Sequence, residues 1–418
     1  MTKANRFLKS SFFNALEKLL RIAINFVIFI LMTKTLSVED MGKYNFYLTA
    51  FAMLSVFSSF GLTENATKIL LDKQCHIKAL NVLIAIKLLC SLFFAAMGYF
   101  LLLDENIYFF IALIFSSFSL SLQFLESLAL GKLILKVNTV ILVFMSIIKI
   151  WAFWTNQNLN TFCQIFALEI FIQSFVLFVI CYLKSIKLNI KKSHFEILTS
   201  LNFKGFFYIW FSASLSILYL KIDQFFVKTY LNEHDVGLYT YATRIIDYGM
   251  LLPSLIISSS MGYLYTLKGE KRTTLYSSAI LIASGMFVAV NLLSILLTWF
   301  FMPQYHASIG IVFILSLGLP FALIRALTGK FLIIDGHNQP FLIRATVLLL
   351  LNIVLCTLLI GKFGLYGVAM ANMLTMIFSG FFIDLIHRDT IAVFKLKWLS
   401  LINLKSPSNV IKAIKKLG

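Results

Sequence analysis

Charge is scarce in this 418-residue chain, and acid is scarcer still. Only 13% of residues are charged, and 36 lysines and arginines face 18 aspartates and glutamates, a net +18. With 60% hydrophobic residues, too little polar surface remains for a water-soluble protein of this length, so the solvent must be lipid. Cysteine is sparse as well. Cys75, Cys90, Cys163, Cys181 and Cys356 lie in or beside apolar runs and form no close pair, which argues against a disulfide framework. The six histidines are scattered without ligand spacing, so neither a metal nor a catalytic constellation is expected. The basic residues never cluster as they would for nucleic acid; they are dispersed between apolar runs. A cleaved leader is not expected either, because the segment after Lys3, Arg6 and Lys9 is too long for a signal core and has no small-residue cleavage site.

What is abundant is apolar sequence in long runs. A spanning helix needs roughly 20 mainly apolar residues, and twelve stretches qualify: 12–35, 43–64, 80–103, 107–131, 137–156, 160–183, 205–231, 237–266, 274–301, 309–334, 341–361 and 364–386. Lysine and arginine alternate between the connections. With the N-terminus inside, cytoplasmic loops carry Lys68, Lys73 and Lys78, then Lys132 and Lys136, then Lys184 to Lys204, then Lys268, Lys271 and Arg272; the opposite loops carry few cations and more acid. That bias predicts a multi-pass protein with both termini cytoplasmic. The basic loop near 184–204 divides the chain six plus six. The outer loops are too short for a folded periplasmic domain. The predicted organisation is a bundle over 1–190, a basic linker over 191–204, a second bundle over 205–387 and a basic amphipathic tail over 388–418, suited to the anionic inner leaflet.

The two halves repeat each other. Asp40-Met41-Gly42-Lys43-Tyr44 returns about 195 residues later as Asp235-Val236-Gly237-Leu238-Tyr239. In register, Asn45 pairs with Thr240, Thr49 with Arg244, Ser59 with Ser254 and Thr63 with Ser258, at helical spacing. Both loops fall on the outer side, so the repeats are parallel, related by an axis along the membrane normal. The predicted fold is an all-α integral membrane protein of about twelve transmembrane helices, in two six-helix bundles around a central cavity.

Charge inside a bilayer costs at least ~2.5–3.5 kcal/mol at a helix centre, so it persists where it faces protein or water. Helix 1 carries Asn14, Lys18, Arg21 and Asn25 on one face; helix 7 carries Ser212, Ser216, Tyr219 and Asp223; helix 8 carries Arg244 and Asp247. Lys18, Arg21, Lys87, Lys149, Lys221, Arg244 and Arg325 are the candidate cavity cations, suited to phosphate or acidic sugar. Asp223, Asp247 and Glu169 are the candidates for a coupling ion. Bland alternatives stand beside these: Lys18 snorkelling to the surface, Arg244 and Asp247 satisfying each other, and Lys221 pointing away from Asp223 on its helix. Asp40 and Asp235 read as helix caps, Gly42 and Gly237 as turn residues, Tyr44 and Tyr239 as parts of the same element, and Pro253 and Pro320 as kinks.

The run Leu36-Ser37-Val38-Glu39-Asp40-Met41-Gly42-Lys43-Tyr44 resembles a signature of Wzx-type O-antigen and polysaccharide flippases. So do Ile222-Asp223-Gln224, Val236-Gly237-Leu238-Tyr239 with Ala242 and Pro253, and Phe363-Gly364-Leu365-Tyr366-Gly367-Val368-Ala369. One departure is Gln224, where arginine is common. The resemblance implies a MATE-like fold of the MOP exporter superfamily in a bacterial inner membrane. It implies no enzyme and no cofactor, but a flippase for an undecaprenyl-pyrophosphate-linked oligosaccharide with H+ or Na+ coupling. A polysaccharide polymerase and a chain-length regulator are the implied partners besides lipid and glycan. The rival readings are a MATE-type drug or cation exporter, which would favour an acidic cavity, and a membrane glycosyltransferase or O-antigen polymerase with Glu39-Asp40 as its acids.

Overall fold

The computed structural model describes residues 22–60, 62, 76–101, 107–120, 131–155, 158–185, 203–259, 264, 269–335 and 339–403. These form thirteen helices and no strand. They are α1 (Ile22–Thr35), α2 (Val38–Ser59), α3 (His76–Leu101), α4 (Ile107–Phe115, continued by a 3-10 turn), α5 (Gly131–Thr155), α6 (Leu159–Ser185) and α7 (Phe203–Tyr230). Then come α8 (Glu233–Ser259), α9 (Glu270–Phe300), α10 (Ser308–Ser316), α11 (Leu319–Ile334), α12 (Gln339–Gly380) and α13 (Ile391–Asn403). Helix occupies every one of the twelve expected stretches. By length and apolar composition alone, three of the described helices suffice to cross a membrane: Leu159–Ile180, Lys271–Phe300 and Leu342–Gly380. The pair α10 and α11, bent by 44°, meets the same test when taken together as one broken span. Helices α2, α7 and α8 are less apolar because they carry the polar stripes.

The chain divides into two compact units with the boundary inside α7, at Leu218–Tyr219. In the N-terminal unit α3 packs on α2 and α4, and α6 on α4 and α5. In the C-terminal unit α9 packs on α10, α11 and α13, while α10 and α11 pack on α8 and α12.

The helix starts are set by side chains one turn ahead of the repeated motif. Ser37 Oγ accepts from Asp40 N at 3.1 Å, and Asn232 Oδ1 accepts from Asp235 N at 2.8 Å. Ser37 and Asn232 are thus the caps, and the expectation that Asp40 and Asp235 cap is corrected. The two aspartates lie in the first turn, where their charge meets the positive end of the helix dipole. Gly42 and Gly237 are buried inside helix and make no turn. The expected stretch 309–334 is broken by a 44° bend immediately before Pro320, which stands second in α11, where its missing N–H removes no helical bond. Pro253 lies within the continuous α8.

Helix α12 is two arms meeting at Gly364, whose φ of 54° lies in the left-handed region. A Cβ on Gly367 would sit 2.2 Å from the Leu359 carbonyl oxygen. The Phe363–Ala369 run is therefore a tight corner that two glycines make feasible. Both arms return to α7: Asn352 Nδ2 donates to Tyr219 O at 3.1 Å, and Asn372 Nδ2 donates to Asp223.

Polarity runs inside-out. Large side chains such as Phe93, Phe144, Trp151, Trp299 and Phe300 are exposed, while Lys87, Asp223, Asp384 and Lys397 are buried. Helix α13 shows this on one element. Its outward face holds Ile391, Trp398, Leu399 and Ile402; its inward face holds Val393, Lys397 and Ser400. Lys397 Nζ donates to Gly380 O at 2.6 Å and to Asp384, which also takes Arg344. Ser277 Oγ donates to Ser400 O at 2.9 Å. The segment expected as a surface tail is thus docked on α9 through 403; the rest of it, 404–418, lies outside the described residues.

Candidate functional site

Asp223 is the polar centre of the C-terminal unit. It is 1% exposed on α7. Its Oδ2 accepts from Tyr239 Oη of α8 at 2.6 Å and from Asn372 Nδ2 of α12, and its Oδ1 accepts from Gln224 N at 2.9 Å. Three donors from three helices satisfy one buried carboxylate, as a desolvated acid requires. The motif tyrosine of the second half therefore has a chemical task. Its counterpart Tyr44 instead packs edge-on against Phe109, centroids 6.2 Å apart.

Beside Asp223 lies a cavity of about 140 Å³ lined by Lys221, Asp223, Gln224, Thr243, Asp247 and Asn372 among others. Lys221 does not point away as the helical spacing suggested. It reaches the same cavity, and its Nζ lies 3.6 Å from Asp247, which is well exposed. Arg244 is half-buried on the same helix as Asp247.

Arg325 stands apart on α11. Its guanidinium carbon is 5.3 Å from the centroid of the Tyr219 ring. It makes no ion pair with any described residue, and its Nε is buried without a hydrogen-bond partner. Cation–π contact offers about 1–2 kcal/mol, and it leaves the charge of this half-buried guanidinium without a counter-ion among the described residues.

In the N-terminal unit Lys87 is 5% exposed and donates to Ser119 Oγ at 3.1 Å. It lines a cavity of about 340 Å³ with Ser55, Ser59, Ser116 and Gln173. Lys149 and Glu169 form an ion pair at 2.6 Å between α5 and α6, so these two candidates answer each other. Lys18 and Arg21 lie outside the described residues. The repeated stripe is partly self-satisfied. Asn45 Nδ2 donates to Met41 O at 2.9 Å, and Thr240 Oγ1 to Val236 O at 2.8 Å, in matching registers.

Sequence reasoning passed over Asn372, Asn352 and the Arg344–Asp384–Lys397 cluster. Asn352, Asn372 and Arg344 are lone polar groups in apolar runs, a usable signal of internal facing, whereas Lys397 sits among the cations of the basic tail and gave no such signal. No group of three or more His, Cys, Asp or Glu able to hold a metal occurs among the described residues.

No family model and no curated protein sequence matches this chain. Solved structures do match it. The lipid II flippase MurJ in an inward closed conformation aligns with a TM-score of 0.66 at 16% identity, over 95% of this chain and 91% of that one. An inward-facing multidrug resistance MATE transporter of the MOP superfamily gives 0.63 at 14% identity, over 94% and 99%. A MOP-superfamily transporter from Pyrococcus furiosus, described as having a binding pocket of reversed polarity, gives 0.60 at 13%, over 97% and 99%. The chain has the all-α membrane fold of these transporters.

Proposed function

We propose that this protein is a flippase that moves an undecaprenyl-pyrophosphate-linked oligosaccharide from the cytoplasmic to the periplasmic leaflet of a bacterial inner membrane, by ion-coupled alternating access. The observation that carries this reading is Arg325. A half-buried guanidinium with a buried, orphaned Nε and no carboxylate partner among the described residues can receive an anion. A guanidinium fork matches two phosphate oxygens, as a pyrophosphate offers. A lipid anion can leave its tail in hydrocarbon while its head passes along protein, so no covalent chemistry is needed. The fold, common to a lipid II flippase and multidrug MATE transporters, is compatible with this cargo.

Asp223 is the proposed seat of the coupling ion. As a carboxylate with Asn372 and Thr243 beside it, it offers the oxygen ligands that a sodium ion takes. A proton would neutralise the same group. Either ion must compete with the Tyr239 and Asn372 hydrogen bonds, which ties occupancy to the packing of α7, α8 and α12.

The test is gene deletion followed by leaflet-resolved assay of undecaprenyl-pyrophosphate-linked glycan in spheroplasts. Complete repeat units should accumulate on the cytoplasmic face. The defect should persist when Arg325→Ala is supplied at normal membrane levels. Units appearing normally outside but unpolymerised would instead point to an enzyme, and accumulation of a lipophilic cation in the deletion strain would point to an exporter.

A further inference from the structure

The Lys87 cavity has a chemistry of its own. It is a half-open cleft within the N-terminal unit, lined by α2, α3, the end of α4 and α6, and its volume of about 340 Å³ falls in the ~300–1,000 Å³ range of small-molecule pockets. Its polar wall is Ser55, Ser59, Lys87, Ser116, Ser119, Gln173 and Ser174, and no carboxylate is among the described residues that line it. Three of the five lining serines have committed their hydroxyl hydrogens. Ser55 donates to Ala52 O, Ser59 to Val56 O and Ser116 to Leu113 O, at 2.8, 2.8 and 2.6 Å. What these serines turn to the cavity is oxygen lone pairs. The side chains of Gln173 and Ser174 make no hydrogen bond to any described residue, although Ser174 is 4% exposed. Phe51, Val56, Ile170 and Leu177 form the apolar wall.

A multiply charged phosphate finds one cation here, and on the Ser55, Ser59 and Ser116 side its oxygens would face lone pairs. A ring bearing hydroxyl groups suits it well. Its O–H groups donate to the serine oxygens, its oxygens accept from Lys87 Nζ and the Gln173 amide, and its C–H face lies on Phe51 and the aliphatic side chains. We infer that the Lys87 cavity is a glycan subsite that holds one sugar ring of the transported lipid-linked oligosaccharide, read by Gln173, Ser174 and the α2 and α4 serines. This inference rests on the flippase reading and names which part of the cargo the N-terminal unit recognises.

The experiment uses the full chain in nanodiscs. Binding of farnesyl pyrophosphate is compared with farnesyl pyrophosphate linked to glucose, galactose, N-acetylglucosamine or N-acetylgalactosamine. At least one glycosylated probe should bind about tenfold more tightly than the bare one. Gln173→Leu combined with Ser174→Ala should bring the two within about twofold, with bare-probe affinity and thermal midpoint unchanged. Equal binding of bare and all glycosylated probes to the unmodified protein would overturn the subsite while leaving the flippase reading standing. A preference that survives the double substitution would overturn it too. Binding of none of the probes would remove the flippase reading and the subsite together.

Discussion

At the scale of single residues, the motif tyrosine of the second half has a defined partner. Tyr239 donates to the Asp223 carboxylate, and its counterpart Tyr44 packs on Phe109. Tyr239→Phe keeps the ring and removes the donor, leaving Asp223 with one fewer hydrogen bond in a desolvated site. The expected loss is about 1–3 kcal/mol for a buried group left short of a partner. Transport should become insensitive to the driving ion, measurable as a flattened dependence of glycan export on proton or sodium gradient. Arg325 makes the complementary prediction. Arg325→Lys keeps charge but loses the fork, so export should fall severalfold; Arg325→Ala should abolish it, with both variants at normal membrane levels. Full activity of the alanine variant would remove Arg325 from the path. The sequence showed Arg325 as a charge without a nearby acid, and the structure agrees. It could not show that Lys149 and Glu169, twenty residues apart, were a pair.

At the scale of elements, the α12 corner and the α13 anchor decide geometry. Gly364→Ala would place a side chain at φ 54°, and Gly367→Ala would press a methyl group into the Leu359 carbonyl. Each should destabilise by about 1–3 kcal/mol, with Gly367 the worse because its neighbour is backbone. Thermal melting in detergent would rank them. In the α13 anchor, two cations share one carboxylate. Asp384→Asn strands both, and removing one side of a buried charge cluster costs about 3–5 kcal/mol. Burial pushes the Lys397 amine down to about 8, below the ~10.4 of free lysine. Between those values the unfolded chain holds the extra proton, so stability rises with pH across that window. The melting midpoint should climb from pH 8 to 9.5, and less so in Lys397→Met. The α12 corner was legible as the break between the expected stretches 341–361 and 364–386; the α13 anchor was not. Lys397 looks like a surface lysine of a basic tail, and only docking on α9 turns it inward.

At the scale of the whole molecule, the inside-out distribution of polarity predicts how the protein meets its surroundings. Trp398 is exposed on the docked α13, so brominated lipid should quench its fluorescence in nanodiscs; quenching by aqueous iodide alone would place α13 in water. The sequence by itself determined the solvent, the helical class, the place of each helix and the twofold repeat. Those follow from local quantities: apolar run length, the loop bias of lysine and arginine, and helical spacing. It also picked out Asp223 and Arg325, because a charge in an apolar run is costly wherever the chain goes. Only the tertiary structure decided which charges are answered. Lys149 finds Glu169, Lys397 finds Asp384, and Asp223 finds Tyr239 and Asn372, while Arg325 makes no ion pair among the described residues. The physical reason is that the energy of a buried charge is set by what lies within a few ångströms of it, and those neighbours come from distant parts of the chain.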